Sequence, residues 1–174
     1  YGIPFSFYDD FMKANGLYDA AKKMMANPKF KSDPAVRERE LTAFRRKVRD
    51  ATVPPQLEAK LDALQKKFPV GQGIRCRSST NNEDLPGFNG AGLYDSNTGF
   101  LDAALQPNAD DQKKTIEWAI KKTWASYWTA EAFEERALEN IDHLSGNMGV
   151  VVHARFDDDK EKSNGVFLCT LHDG

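Results

Sequence analysis

Apolar residues change their spacing along this chain, from helical in the first third to alternating near the middle and continuous near the end. Phe7, Phe11, Leu17 and Met24 mark helical turns between Ser6, which with Asp9 is expected to cap the start, and Asn27-Pro28, with a break at Asn15-Gly16. Pro34 opens a second helical stretch with Val36, Leu41, Phe44 and Val48 near one face. Pro54 opens a third with Leu57, Leu61, Leu64 and Phe68. Pro69 and Gly71 to Gly73 then turn the chain into a run where Ile74 and Cys76 alternate with Arg75 and Arg77. Strand side chains alternate faces, so the run predicts a strand with Cys76 in the core and both arginines opposite. Further on, Asp110 is expected to cap a long helix with Ile116, Ile120, Trp124 and Tyr127 on one stripe and Trp118 and Trp128 beside it. That spacing is a core face rather than a base-stacking platform. Thr129 is expected to start another helix carrying Phe133, Arg136 and Ala137.

The last segments, Met148 to Ala154 and Gly165 to Thr170, are nearly continuous apolar runs and read as an antiparallel hairpin buried on both faces. Asp157, Asp158 and Asp159 fall at its charged tip, without the spacing of a calcium loop. The opening residues, Tyr1 to Phe7, read as the end of a strand. Helices first, then a strand, a glycine-rich loop, more helices and a hairpin make the chain α+β rather than regularly alternating.

Composition narrows the function classes. The chain has 174 residues, 40% hydrophobic and 29% charged, with a net charge of −2. It is neither disordered nor membranous, and no apolar run approaches the ~20 residues of a membrane span. No signal-peptide pattern stands at the start, so a cytoplasmic location is the expectation. Interspersed charges of both signs give no field for a nucleic acid backbone. Cys76 and Cys169 each sit in an apolar run, as buried thiols do. His143, His153 and His172 lack metal-ligand spacing, so no metal ligands are assigned.

The candidate chemistry lies between Ile74 and Ser96. After the arginine strand come Ser78, Ser79, Thr80, Asn81 and Asn82, the acidic pair Glu83 and Asp84, then Pro86, Gly87, Gly90 and Gly92. Glycines let backbone N–H groups approach a ligand, and guanidinium groups bind phosphate oxygens in pairs. The same residue types also build ordinary connections, and the spacing is neither that of a P-loop nor of a dinucleotide fingerprint. From the residues alone, a polyphosphate cradle and a plain turn both stay open.

The stretch CRSSTNNEDLPGFNGAGLYDS resembles the arginine-serine-serine motif and glycine loop of the nucleotide-binding domain in the phosphoenolpyruvate synthase and pyruvate phosphate dikinase family. Arg77, Ser78, Ser79, Glu83, Asp84, Leu85, Pro86, Ala91 and Gly92 fall on matching positions, while Asn89, Gly90, Leu93 and Tyr94 depart from the pattern. Weaker similarity runs through WASYWTAEAFEER and MGVVVHARF to NGVFLCT.

The resemblance implies an ATP-grasp-like lobe, with a mixed or antiparallel sheet flanked by helices. Residues 1–174 would be one incomplete ATP-binding domain, with a helical part (6–68) and a strand, glycine-loop, helix and hairpin part (72–172). It implies ATP and Mg²⁺ in a full-length parent that phosphorylates a histidine on another domain on the way from pyruvate to phosphoenolpyruvate. Its partners would be the histidine-bearing and pyruvate-binding domains. By the resemblance, Arg77 contacts phosphate in catalysis, with Ser78, Ser79, Glu83, Asp84, Gly87, Gly90 and Gly92 around the nucleotide. Arg136 matches the second of two family arginines, with Glu131 in place of the first, and a salt bridge to an acid is its other reading. Metal ligands would lie beyond Gly174, and this stretch alone would be inactive. A related kinase with a carbohydrate or antibiotic acceptor, and a non-catalytic nucleotide-sensing or partner-binding module, are the alternatives.

Overall fold

A computed structural model of the chain describes residues 1–82, 90, 92–156 and 163. In chain order the elements are β1 (Gly2–Ile3), α1 (Phe5–Ala14), α2 (Leu17–Ala26), α3 (Pro28–Ser32), α4 (Pro34–Asp50), α5 (Pro55–Gln65), β2 (Gly73–Thr80), β3 (Asn97–Phe100), α6 (Ile116–Ala125), α7 (Ala130–Leu138) and β4 (Met148–Ala154). The strands form one antiparallel sheet in the order β1-β4-β2-β3. The protein is therefore an α+β lobe of the ATP-grasp-like kind, with an antiparallel sheet.

Most helix boundaries follow from local chemistry. Asn15 ends α1, and Gly16 sits at a left-handed φ of 61° where α2 begins. Pro34 and Pro55 occupy the first turns of α4 and α5, where a missing N–H costs nothing. Asp33 caps α4 by accepting from the N–H groups of Ala35 and Val36. Thr129 caps α7 as expected, accepting from Ala132.

Two caps differ from expectation. Pro4 precedes α1 with no side-chain cap, so Ser6 and Asp9 do not open it. Asp110 does not cap α6; Thr115 does, accepting from the Trp118 N–H, because a short 3₁₀ turn at Asp111–Lys113 intervenes. The start of α6 is fixed by the sheet, since Phe100 donates its N–H to the Lys114 carbonyl at 2.8 Å.

Helices α1 and α6 pack on one face of the sheet, and α4 packs behind α6. The core joins Ile74, Cys76, Val150 and Val152 of the sheet to Phe11 and Met12 of α1 and to Ile116, Ile120 and Trp124 of α6. Trp124 meets Phe11 at 5.0 Å between ring centroids and donates its indole N–H to the Met148 carbonyl at 3.0 Å. Trp128 packs edge-on against Phe44 and donates to the Tyr8 hydroxyl at 3.1 Å. Each of these large side chains contributes about 1.5–3 kcal/mol by leaving water. Ile116, Ile120, Trp124 and Tyr127 form a buried face, as their spacing predicts, although α6 ends at Ala125 and Tyr127 and Trp128 lie in a 3₁₀ turn beyond it.

Strand β4 departs from the expected hairpin buried on both faces. Val150 and Val152 are buried, but Val151 between them is 46% exposed. A continuous apolar run does not reveal whether both faces are covered. The expected second strand, 165–170, lies outside the described residues, as do Cys169, His172 and Asp157 to Asp159. No helix among the described residues is long and apolar enough to cross a membrane.

Strand β2 alternates as expected: Ile74 and Cys76 are fully buried, Arg75 is half-buried and Arg77 exposed. Burial pushes the Cys76 thiol up to about 12. Thiol labelling of native protein at Cys76 should be slow at neutral pH and become fast on unfolding. Rapid native labelling would reverse the faces of β2 and take the arginines with it.

Candidate functional site

With α1 and α6 on one face, the opposite face of the sheet collects the side chains that alternate away from the core. In β2 these are Arg75, Arg77 and Ser79; their cross-strand neighbours on β4 are His153, Val151 and Gly149. Thr98 of β3 stands beside Arg75 and accepts from its Nη1 at 3.3 Å. Arg75 is thus tied to the sheet, whereas Arg77 is exposed. Ser78 and Thr80 pair with Val150 and Met148 on the covered side, so of the two serines only Ser79 shares the arginine face. An exposed guanidinium with a neighbouring hydroxyl is a donor set suited to phosphate oxygens.

From this strand end the chain enters the glycine-rich segment. Glu83, Asp84 and Gly87 lie outside the described residues. Gly90 is buried, its carbonyl accepting from the Leu93 N–H at 3.2 Å. Gly92 has φ +83°, a left-handed conformation that an L side chain adopts only with strain of about 1–2 kcal/mol. Among the described residues no three His, Cys, Asp or Glu side chains gather as a metal site.

Both roots of the segment are held from below. At the entry, Asn81 exchanges bonds with Asn147: its side-chain oxygen accepts from the Asn147 N–H at 2.8 Å. Asn82 is buried and donates from Nδ2 to the Tyr127 hydroxyl at 3.1 Å. At the exit, Tyr94 stacks on Tyr127 with centroids 5.9 Å apart and planes 3° from parallel. The Asp95 N–H donates to Ser126 Oγ at 3.0 Å, and Asn97 donates to Thr123 Oγ1 at 3.1 Å. Gly146 passes so close that an added Cβ would fall 1.8 Å from the Tyr127 hydroxyl and 2.7 Å from Asn82 Nδ2.

Arg136 is the least expected placement. It is fully buried. Its Nη2 donates to the Tyr127 carbonyl at 2.7 Å, Nη1 to the Tyr94 hydroxyl at 3.3 Å and Nε to His143 Nδ1 at 3.4 Å. The guanidinium carbon lies 3.8 Å from the Tyr127 ring centroid. Among the described residues it makes no salt bridge, so the expected acid partner is replaced by a carbonyl, a hydroxyl, an imidazole and a π face. Those contacts offset the cost of burying the charge. Burial pushes the Tyr127 phenol up to about 12, with Arg136 pulling the other way.

Tyr127, His143 and Gly146 carry no motif that would single them out, and Asn82 stands in the resembling stretch without an assigned role. Tyr94 is visible in the sequence only as a departure from the family pattern.

The model of the pyruvate phosphate dikinase AMP/ATP-binding domain family matches residues 1–172, and the chain belongs to that family. Over 170 residues, 95% of its length, it is 28% identical to the phosphoenolpyruvate synthase of Aeropyrum pernix, covering 19% of that protein. It is 26% identical over 172 residues to a probable phosphoenolpyruvate synthase of Staphylothermus marinus, again covering 95% of this chain and 19% of the relative. A probable phosphoenolpyruvate synthase of Pyrococcus horikoshii is 34% identical over 96 residues, 55% of this chain and 10% of the relative. The chain thus spans about a fifth of the length of the first two relatives.

His143 supplies a pH test of this buried cluster. Burial, then Arg136, lowers its pKa from 6.5 to about 4, while Asp142 opposes the shift. The unfolded chain therefore binds a proton between pH 6.5 and 4 that the folded chain refuses. This contribution to stability is full above about pH 6.5 and is lost progressively as pH falls towards 4. His143→Gln should flatten the fall of the unfolding midpoint across that window. An unchanged pH slope would show that His143 is not held neutral by Arg136 and its surroundings.

Proposed function

We propose that this chain is the ATP-binding portion of a phosphotransferase that phosphorylates a histidine on another domain, on the way from pyruvate to phosphoenolpyruvate. The observation that carries the reading is Arg77, exposed on the sheet face opposite α6, in the strand that feeds the glycine-rich segment. The family match and the names of the relatives support it. In this reading the chain is one incomplete nucleotide-binding domain, and the histidine and the acceptor site belong to other parts of a longer protein.

Phosphoryl transfer asks the protein mainly for positioning and for neutralising charge that spreads over the phosphate oxygens. Arg77 binds those oxygens, Ser79 donates a hydroxyl from the same face, and backbone groups near Gly90 and Gly92 complete the cover. Ser78 contributes through its backbone, since its place in the strand register is on the covered side. Glu83 and Asp84 orient arginines or help place Mg²⁺, which would screen the phosphate charges when bound. Arg75, committed to Thr98, supports the face.

Phosphohistidine formation rates in the full-length parent separate these roles. Arg77→Ala should cost about 3–4 kcal/mol of transition-state stabilisation, the loss typical of one preorganised donor. Arg75→Ala should cost much less, with thermal unfolding as the control for fold damage. Equal impairment of both variants, or a folded Arg77→Ala protein near wild-type rate, would sink the assignment.

A further inference from the structure

We infer that Arg136 is a positioning residue that ties the two roots of the glycine-rich segment to each other and so sets how that segment meets a nucleotide. The inference rests on the reading of that segment as nucleotide-binding. It starts from a buried charge that no carboxylate among the described residues pairs within 4 Å. All three nitrogens of the guanidinium are used, and they reach into different parts of the chain.

The geometry is a bridge of three rigid planar groups. Tyr94, at the exit of the segment, accepts from Arg136 through its hydroxyl and stacks on Tyr127. Tyr127 lies against the guanidinium by its ring, accepts from it through its carbonyl, and accepts from Asn82, at the entry, through its hydroxyl. Entry and exit are thus joined through one arginine and one tyrosine, with no flexible aliphatic link between them. Gly146 keeps the volume beside the Tyr127 hydroxyl clear, since any Cβ there would overlap it. A planar fork with several fixed donors suits this task, whereas a lysine offers one mobile ammonium. A surface phosphate contact by Arg136 would require exposing a guanidinium that is fully buried and held at all three nitrogens.

The tie makes a claim about local order. Tyr127→Phe removes the acceptor for Asn82, and Tyr94→Phe removes one acceptor for Arg136, while both keep the ring stack. In the full-length parent without nucleotide, amide hydrogen exchange at Asn82, Leu93 and Asp95 should quicken about three- to tenfold in either variant, with the Ile74 and Cys76 amides unchanged. The KM for ATP should rise by about the same factor, with kcat within about twofold. Arg136→Lys should show both effects more strongly if it folds, and the tyrosine variants decide the matter if it does not. Exchange that stays the same at the roots, or quickens equally in the strand core, overturns the tie. Faster root exchange with an unchanged KM for ATP overturns its link to nucleotide. If Arg77→Ala is then also silent, the nucleotide reading falls; if Arg77→Ala is damaging, only the role of Arg136 falls.

Discussion

The packing of α1 and α6 on one face of a four-stranded sheet determines where polar chemistry stands in this chain. Once Ile74, Cys76, Val150 and Val152 are committed to the core, the period of two sends Arg75, Arg77, Ser79 and His153 to the other side. No separate device is needed to present a guanidinium there. The burial of the apolar positions presents it, and the strand delivers it beside the glycine-rich segment. A one-residue slip of β2 would reverse both results at once, placing arginines among tryptophans. The core and the site are therefore the same constraint seen from opposite faces.

Beneath the segment, a different economy holds. Arg136, Tyr127, Tyr94 and Asn82 use polar atoms inside the fold, where each unpaired group would cost about 1–3 kcal/mol. Such networks favour one arrangement because partial versions of them are expensive. The sheet register fixes the strand end, and this cluster fixes the chain on either side of the glycines.

Much of the fold is legible in the sequence, because its signals are local. Pro34, the Asn15-Gly16 break and the Ile74 to Arg77 alternation each act within a few residues, and Pro54 marks α5 to within one residue, the helix starting at Pro55. The failures come where distant packing decides. Asp110 looks like a cap, yet the contact between Phe100 and Lys114 moves the helix start to Thr115. The valine run of β4 reads as buried on both sides, because periodicity carries no information about which face other elements cover. The ion-pair reading of Arg136 gives way to bonds with Tyr94, Tyr127 and His143, since the convergence of Tyr94 from 42 residues away is invisible in a linear pattern. Tyr94, noticed only for departing from the family motif, turns out to be what receives the arginine.

The central claim is that the sheet face carrying Arg77, opposite α6, receives the polyphosphate. A structure of the full-length parent with Mg²⁺ and a non-hydrolysable ATP analogue tests it most directly. The account predicts phosphate oxygens within hydrogen-bond distance of the Arg77 guanidinium, on the side of the sheet opposite α6, with Arg136 still bonded to Tyr94 and Tyr127. Phosphates bound instead among the helices, for example in the groove of about 540 Å³ lined by Phe30, Arg37, Phe133 and His143, would contradict it.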